Sequence, residues 1–239
     1  MAELVIDIGN TRIKAARFEN GVMLQLQLFA HNDAAFEQWC AAYAEEPAIV
    51  SSVAPGGTAQ SGLSRLRHLH RFSYRSKLPF VNAYRTPHTL GPDRMAVVAG
   101  ARSLYPEGPL LCIDAGTCIT YDLVNEQNEY LGGAISPGLN MRYTALHQNT
   151  GRLPLVEHRE YESYTGSDTE ESILAGVQQG IVAEAEHTVA HYRSIYPRLQ
   201  VTLSGGDTAF FEKRLKCNIF AYPQLVVKGL YHILKLNEA

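Results

Sequence analysis

The sequence has no run of about eighteen apolar residues of the kind that spans a bilayer. Its first residues enter a strand pattern at once, without the basic segment and apolar core of a cleavable leader. A cytoplasmic chain without a membrane partner is therefore expected. Cysteine is scarce and scattered: Cys40, Cys112, Cys118 and Cys217 form no CxxC pair. They point to neither a zinc site nor a disulfide framework and read as reduced, mostly buried thiols. Excess charge is also lacking, since 21 Lys and Arg against 24 Asp and Glu leave a net charge of -3. Nucleic acid is not an expected partner. The locally basic stretch Arg65, Arg67, His68, His70, Arg71 and Arg75 alternates with Leu66, Leu69 and Phe72, as an ordinary amphipathic segment does. His187 and His191 stand four apart, but no acidic residue intervenes as in HExxH, so a solvated helix face is the plainer reading. Neither GxxxxGK(S/T) nor GxGxxG occurs, which disfavours the common nucleotide folds. No low-complexity segment or long flexible linker interrupts the chain.

What the chain does have is a short acidic turn used twice. Asp7-Ile8-Gly9-Asn10-Thr11 follows the apolar Leu4-Val5-Ile6, and Asp114-Ala115-Gly116-Thr117 follows Leu110-Leu111-Cys112-Ile113. Each carboxylate thus lies at the end of an expected buried strand. In such a turn glycine lets backbone N–H groups approach a ligand, threonine adds a hydroxyl donor, and aspartate can hold a metal ion or its waters. A polyphosphate with its counter-ion needs those groups. One such turn is an ordinary conformational feature, whereas two copies spaced one small domain apart indicate a repeated module.

The surrounding pattern repeats as well. A strand to Ile8 returns through Ile13–Phe18, and Asn20-Gly21 marks a tight hairpin into Val22–Phe29. A helix over 33–45 presents Phe36, Trp39, Cys40 and Tyr43 on one face, and Ala48–Val53 follows as a strand. After Pro55-Gly56-Gly57 come a helix over about 61–69, extended pieces through Val81–Tyr84, and a helix over Asp93–Leu104 ended by Pro106 and Gly108. The domain boundary is expected there, giving modules 1–106 and 107–239. In the second module Leu110–Ile113, Thr120–Val124 and Tyr130–Ile135 form another three-stranded meander. A long helix runs from Thr169 to about Tyr196, a strand over Leu199–Leu203 opens on Ser204-Gly205-Gly206-Asp207, and a helix covers Leu225–Leu236.

Five motifs carry a closer resemblance: Asp7-Ile8-Gly9-Asn10-Thr11-Arg12-Ile13-Lys14, Gly91-Pro92-Asp93-Arg94, Asp114 to Thr120, Gly132 to Gly138, and Ser204 to Asp207. In their order and spacing the chain resembles the actin-like ATPase and sugar-kinase superfamily, and more closely the type III pantothenate kinases. The match runs nearly end to end. It departs at Cys118, where the family usually carries Ala, and at Ser204, where it usually carries Thr. The resemblance implies an α/β fold of duplicated actin-like (ribonuclease H-like) modules, each a mixed sheet with a β-meander and flanking helices, that clamp ATP. The implied reaction is ATP-dependent phosphorylation of the primary hydroxyl of pantothenate to 4'-phosphopantothenate, the first step toward coenzyme A.

The same resemblance implies roles. Asp7 would hold Mg²⁺ through water, and the segment Asp7, Ile8, Gly9, Asn10, Thr11, Arg12, Ile13 and Lys14, together with Thr117, would bind ATP. Asp114 would bind a monovalent cation, K⁺ or NH₄⁺, with a second Mg²⁺ as the rival reading. Asp93 would be the general base, although aspartate there also suits a helix cap. Arg94 would meet the carboxylate of pantothenate, with a structural ion pair as the alternative. Tyr84, Gly91, Pro92 and Thr169 would complete the substrate site; Tyr84 also reads as a half-buried core residue and Ser167-Asp168-Thr169 as an N-cap. Gly132-Gly133 and Gly205-Gly206 would let backbone lie close against the nucleotide.

A nucleotide-binding transcriptional accessory or regulatory protein of the same fold is a second reading, and a kinase for another small alcohol a third. The trio Tyr84, Asp93 and Arg94 favours the enzyme, because a nucleotide switch has no use for an acceptor side. A homodimer is also expected. The resemblance places the helix beginning at Thr169 on a twofold, and its stripe Ile173, Val177, Ile181 and Ala185 suits either a partner or the core.

Overall fold

The computed structural model describes residues 2–53 and 59–238, so Pro55-Gly56-Gly57 lies outside the described residues. The chain divides into two compact units, Met1–Pro106 with Gln224–Ala239, and Glu107–Pro223. In the first, β1 (Ala2–Ile8) carries the apolar Leu4-Val5-Ile6 and is buried along its whole length, as a central strand covered on both faces must be. It pairs antiparallel with β2 (Ile13–Glu19), which pairs antiparallel with β3 (Val22–Phe29). Asn20 and Gly21 turn that hairpin at φ 50 and 82, the left-handed pair a two-residue loop demands.

Parallel strands extend the sheet on the other side: β4 (Ala48–Ser52) beside β1, then β5 (Leu69–Arg71), in the order β3-β2-β1-β4-β5. Between β3 and β4, α1 (Ala34–Ala42) starts at Asp33, whose carboxylate accepts the Ala35 N–H at 2.9 Å, and it buries Phe36, Trp39 and Cys40. The expected helix over 61–69 is corrected. Only α2 (Gln60–Leu63) is helical, and Leu69 already belongs to β5. The edge of β4 offers the following residues sheet partners instead: Ala48 N–H donates to His68 O at 2.8 Å and Phe72 N–H to Val50 O at 2.9 Å. Those bonds satisfy backbone groups in place of a helix. The short β6 (Val81–Asn82) precedes α3 (Pro92–Leu104).

The second unit repeats the plan. Strands β7 (Leu110–Ala115), β8 (Cys118–Val124) and β9 (Glu129–Pro137) form an antiparallel meander. Then β10 (Gln200–Ser204) pairs parallel to β7 and β11 (Phe220–Ala221) parallel to β10. The order β9-β8-β7-β10-β11 matches that of the first sheet strand for strand. Its helices are α4 (Leu139–Gln148), α5 (Thr169–Ile195) and α6 (Thr208–Glu212). Helix α4 has no counterpart in the sequence reading, because it buries only Leu139 and Tyr143 and so shows no apolar stripe. On α5 the stripe Ile173, Val177, Ile181 and Ala185 is buried in a core with Leu111, Ile113 and Leu203. It is therefore not the face of a partner.

The second module does not run to residue 239. The last helix, α7 (Leu225–Glu238), belongs to the first unit. There Gly100 of α3 faces Gly229 of α7: a Cβ on Gly229 would stand 1.8 Å from Ala96 O, and one on Gly100 2.3 Å from Leu225 O. Two glycines let the helix backbones touch. Tyr231 of α7 stacks on Phe18 at 4.4 Å and 14°, and Lys235 pairs with the buried Glu3 at 2.9 Å.

Candidate active site

In the first unit the acidic turn is built by the meander. Asp7 and Lys14 are direct cross-strand partners in the β1–β2 register, so both side chains project from the same face of the sheet. Gly9 N–H donates to Arg12 O at 3.1 Å and closes the turn. Asn10, Thr11 and Arg12 form its exposed tip, whereas Ile8 and Ile13 are 4% and 0% exposed and belong to the core. Of the eight residues expected to bind ATP here, these two and Gly9 have only backbone to offer a ligand.

Asp7 is 7% exposed. Burial pushes its carboxyl up from 3.8 to about 6; Lys14 pulls it down, and the charge of Asp93 pushes it up further. That last effect brings the expected base and the expected metal ligand within electrostatic reach of one another. Asp93 lies in the first turn of α3, after Gly91 at the N-cap and Pro92. Its Oδ1 accepts the N–H of Arg94 at 2.9 Å, so it does part of a cap's work from inside the helix. A Cβ on Gly91 would stand 2.4 Å from that oxygen, and any side chain there would displace the carboxylate. Arg94 is 7% exposed, with its guanidinium carbon 5.9 Å from the ring centroid of half-buried Tyr84, within cation–π range. Tyr84, Gly91, Pro92, Asp93 and Arg94 thus share one unit with Asp7 and Lys14.

The second turn stands on two loops of its own unit. Asp114, half-buried at the end of β7, faces Thr120 across β8 and Ser204 across β10. Gly116 N–H donates to Cys118 O at 2.9 Å, Gly138 N–H to Thr117 O at 3.0 Å, and Asp207 N–H to Ala115 O at 3.0 Å. The Gly132 to Gly138 and Ser204 to Asp207 motifs therefore both abut the Asp114 turn, and Thr117 is exposed at its tip. Three of the motif glycines serve this packing: a Cβ on Gly205 would lie 2.1 Å from Ala115 O, one on Gly138 2.0 Å from Gly116 O and one on Gly133 1.5 Å from Tyr121 O, while Gly206 faces open space. Burial raises the Asp207 carboxyl, with His158 opposing.

Thr169 opens α5, but it is not the cap. Asp168 is the N-cap and accepts Glu171 N–H at 2.8 Å, while the Glu171 carboxylate accepts Ser167 N–H at 2.8 Å and the Ser167 hydroxyl. Thr169 is exposed on the rim of an open groove between α4 and α5 that Met141, Leu146 and Leu153 line. His187 and His191 are exposed on α5. Among the described residues no three His, Cys, Asp or Glu side chains gather into a metal-holding group. Cys40 and Cys112 are buried, and Cys118 and Cys217 are half-buried.

One organising side chain was not legible in the sequence: Glu184 on α5, whose carboxylate binds side chains of β8, β9 and α4. It lies outside every motif, and no spacing could have linked it to them.

Comparison with known proteins follows the same lines. A family model described as type III pantothenate kinase matches residues 3–191. Relatives named type III pantothenate kinase include one from Christiangramia forsetii, 43% identical over 240 residues and covering 98% of each chain, and one from Flavobacterium johnsoniae, 42% identical over 231 residues and covering 95% of each. Among solved structures, a Campylobacter jejuni protein described within the Baf family of transcriptional activators has a TM-score of 0.64 at 19% identity. An inorganic polyphosphate/ATP-glucomannokinase from Arthrobacter sp. strain KM has a TM-score of 0.52 at 15% identity. Each structure covers 98% of both chains compared. At those identities the likeness is one of fold alone, the duplicated actin-like fold. With the family model spanning most of its length and relatives of 43 and 42% identity covering nearly all of it, the chain belongs to the type III pantothenate kinase family.

Proposed function

We propose that the protein transfers the γ-phosphoryl group of ATP to the primary hydroxyl of pantothenate, giving 4'-phosphopantothenate and ADP at the entry to coenzyme A synthesis. Family membership carries this reading. The clustering of Tyr84, Asp93 and Arg94 supports it over a purely regulatory nucleotide switch, since these groups suit an acceptor that bears a hydroxyl and a carboxylate.

Phosphoryl transfer passes through a loose transition state with charge on peripheral oxygens, so positioning and nearby positive charge supply most of the catalysis. Lys14 provides a compact cation, while backbone N–H groups of Asn10 and Thr11 donate to phosphate oxygens from the turn that the Gly9 N–H closes on Arg12 O. Asp93 accepts the proton of the attacking hydroxyl as its oxygen bonds to the γ-phosphorus and the bond to the ADP oxygen breaks. Arg94, held over Tyr84, pairs with the substrate carboxylate, and Thr117 donates to phosphate from the second turn.

The donor set around Asp7 suits Mg²⁺. A buried carboxylate whose ionisation is penalised gains from a neighbouring divalent cation, and Mg²⁺ is usually held by one or two carboxylates with phosphate and water completing the shell. When bound, the ion would neutralise charge on the phosphate oxygens. Asp114, half-buried at the second turn, is the ligand for K⁺ or NH₄⁺. The protein works in the cytoplasm; no helix among the described residues is long and apolar enough to cross a membrane. It acts as a homodimer in which a second copy seats on the groove between α4 and α5, so that Thr169 on its rim reaches substrate.

Purified protein with ATP and Mg²⁺ should release ADP when pantothenate is added and not with a panel of sugars, in K⁺ or NH₄⁺ buffer and not in Na⁺ alone. Release driven by a sugar, or none with pantothenate, would overturn the assignment.

A further inference from the structure

The Asp114 turn is held in place from a distance. Its tip is fixed by the end of β9: Gly138 N–H donates to Thr117 O at 3.0 Å, and a Cβ on Gly138 would stand 2.0 Å from Gly116 O, so the two backbones are in direct contact. The residues just before Gly138 are gripped by one guanidinium. Arg142 Nε donates to Pro137 O at 2.9 Å, and its Nη2 donates to Ser136 Oγ at 3.0 Å. That guanidinium is in turn held by Glu184 of α5, whose Oε2 accepts from Arg142 at 2.6 Å and from the Ser136 hydroxyl at 3.0 Å.

The other oxygen of the same carboxylate reaches the second arm of the turn. Glu184 Oε1 accepts the Tyr121 hydroxyl at 3.0 Å, and Tyr121 lies on β8, three residues past Cys118 where that strand leaves the turn. One carboxylate therefore binds both β8 and β9, the strands that lead out of the turn and back to it. The pair is largely withdrawn from water, with side chains 20% and 31% exposed for Arg142 and Glu184. There a charge-assisted bond is stronger than at an open surface.

The geometry points to Glu184 as a positioning residue that fixes the Gly116-Thr117 turn, through Arg142, Ser136 and Pro137-Gly138 on one side and Tyr121 on the other, in the conformation that receives nucleotide phosphate. This inference rests on the reading of that turn as a phosphate site. Outer partners of a binding group act by restricting where it can sit, and their loss costs affinity without removing a contact to the ligand. Glu184 is thus a determinant of ATP affinity and not of pantothenate affinity.

The test is steady-state kinetics and direct ATP binding by calorimetry on Glu184→Gln, Arg142→Lys, Thr117→Val and Thr188→Val. Thr188 donates its hydroxyl to Glu184 O at 2.8 Å, so its variant perturbs the same turn of α5 and spares the carboxylate. Glu184→Gln should raise KM and Kd for ATP about tenfold while KM for pantothenate changes by less than about twofold. Arg142→Lys keeps the charge, loses the grip on Pro137, and should raise the ATP constants by a smaller factor. Thr188→Val should leave all constants at parent values. If Thr117→Val weakens ATP while Glu184→Gln and Arg142→Lys do not, the positioning role is overturned. The same follows if Glu184→Gln shifts both substrates equally, as a general loss of folding would. If Thr117→Val leaves ATP binding untouched, the phosphate reading of the turn fails first and the inference falls with it.

Discussion

Replacing Asp7 by asparagine should make the protein more stable and less active at once. Burial moves the Asp7 carboxyl from 3.8 to about 6, so the folded chain keeps this proton up to about pH 6 while the unfolded chain releases it near 3.8. Between those values the native state binds more protons than the unfolded state, and stability falls as pH rises through the window. The penalty is absent below about pH 3.8 and complete above about pH 6. A displacement of that size corresponds to about 3 kcal/mol. The neutral amide of the Asp7→Asn variant would escape it, a gain of about 3 kcal/mol, since the displacement to about 6 already contains the opposing pull of Lys14. For a chain of 239 residues this is roughly 6–12 °C in Tm. Thermal unfolding of parent and Asp7→Asn should be compared in metal-free buffer at pH 7.5 and pH 4. The variant should melt higher at pH 7.5, the difference should close by pH 4, and MgATP should raise the parent's Tm but not the variant's. A variant no more stable than the parent at pH 7.5, or an equal gain at both pH values, would refute the argument that burial of this carboxylate is a cost maintained for binding.

Asp93→Asn should retain ATP binding by calorimetry and lose about 10²–10⁴-fold in kcat, the usual cost of removing a general base; a rate within a few-fold of the parent would reduce Asp93 to its bond with Arg94 N–H. Gly229→Ala should destabilise by about 2 kcal/mol in urea unfolding, because the Cβ meets Ala96 O at 1.8 Å, and backbone overlap outweighs the gain of about 1 kcal/mol in helix propensity. Gly176→Ala on α5, where a Cβ meets nothing within 4 Å, should be neutral or stabilising; equal effects at the two sites would remove the special role of the α3–α7 contact. Mixed dimers of Asp93→Asn and Thr169→Ala chains should regain one working site per dimer, and an active monomer in sedimentation would discard the shared site.

The repeat was legible because it is written in local chemistry. Leu4-Val5-Ile6 before Asp7 and Leu110 to Ile113 before Asp114 specify buried strands ending on carboxylates, and Asn20-Gly21 specifies its hairpin through left-handed φ values. From these the two meanders follow, and with the five motifs so does the family. The stripe on α5 is equally plain in the sequence, but periodicity records only that a face is apolar, and the packing of Ile173 to Ala185 against β7 and β10 decided that the core takes it. The stretch 61–69 carries a pattern that fits a helix, while the free edge of β4, which draws Leu69–Arg71 into the sheet, is a long-range feature that no local pattern records. Likewise, α7 reads as an amphipathic helix wherever it goes; the Gly100–Gly229 contact, with Tyr231 on Phe18 and Lys235 on Glu3, shows that it returns to the first unit.

At the site, the sequence by itself determined which groups are present: two acidic turns, a lysine opposite the first, and an Asp-Arg pair at a helix start. Tertiary structure decided their state. The burial that lifts Asp7 to about 6, the reach of Asp93's charge to it, the stacking of Arg94 on Tyr84, and the hold of Glu184 on both strands beside the second turn all depend on distances set by sheet register and helix packing. Residue identity fixes what a group can donate, accept or bind, whereas desolvation and Coulomb interaction depend on where the rest of the chain has been brought to lie.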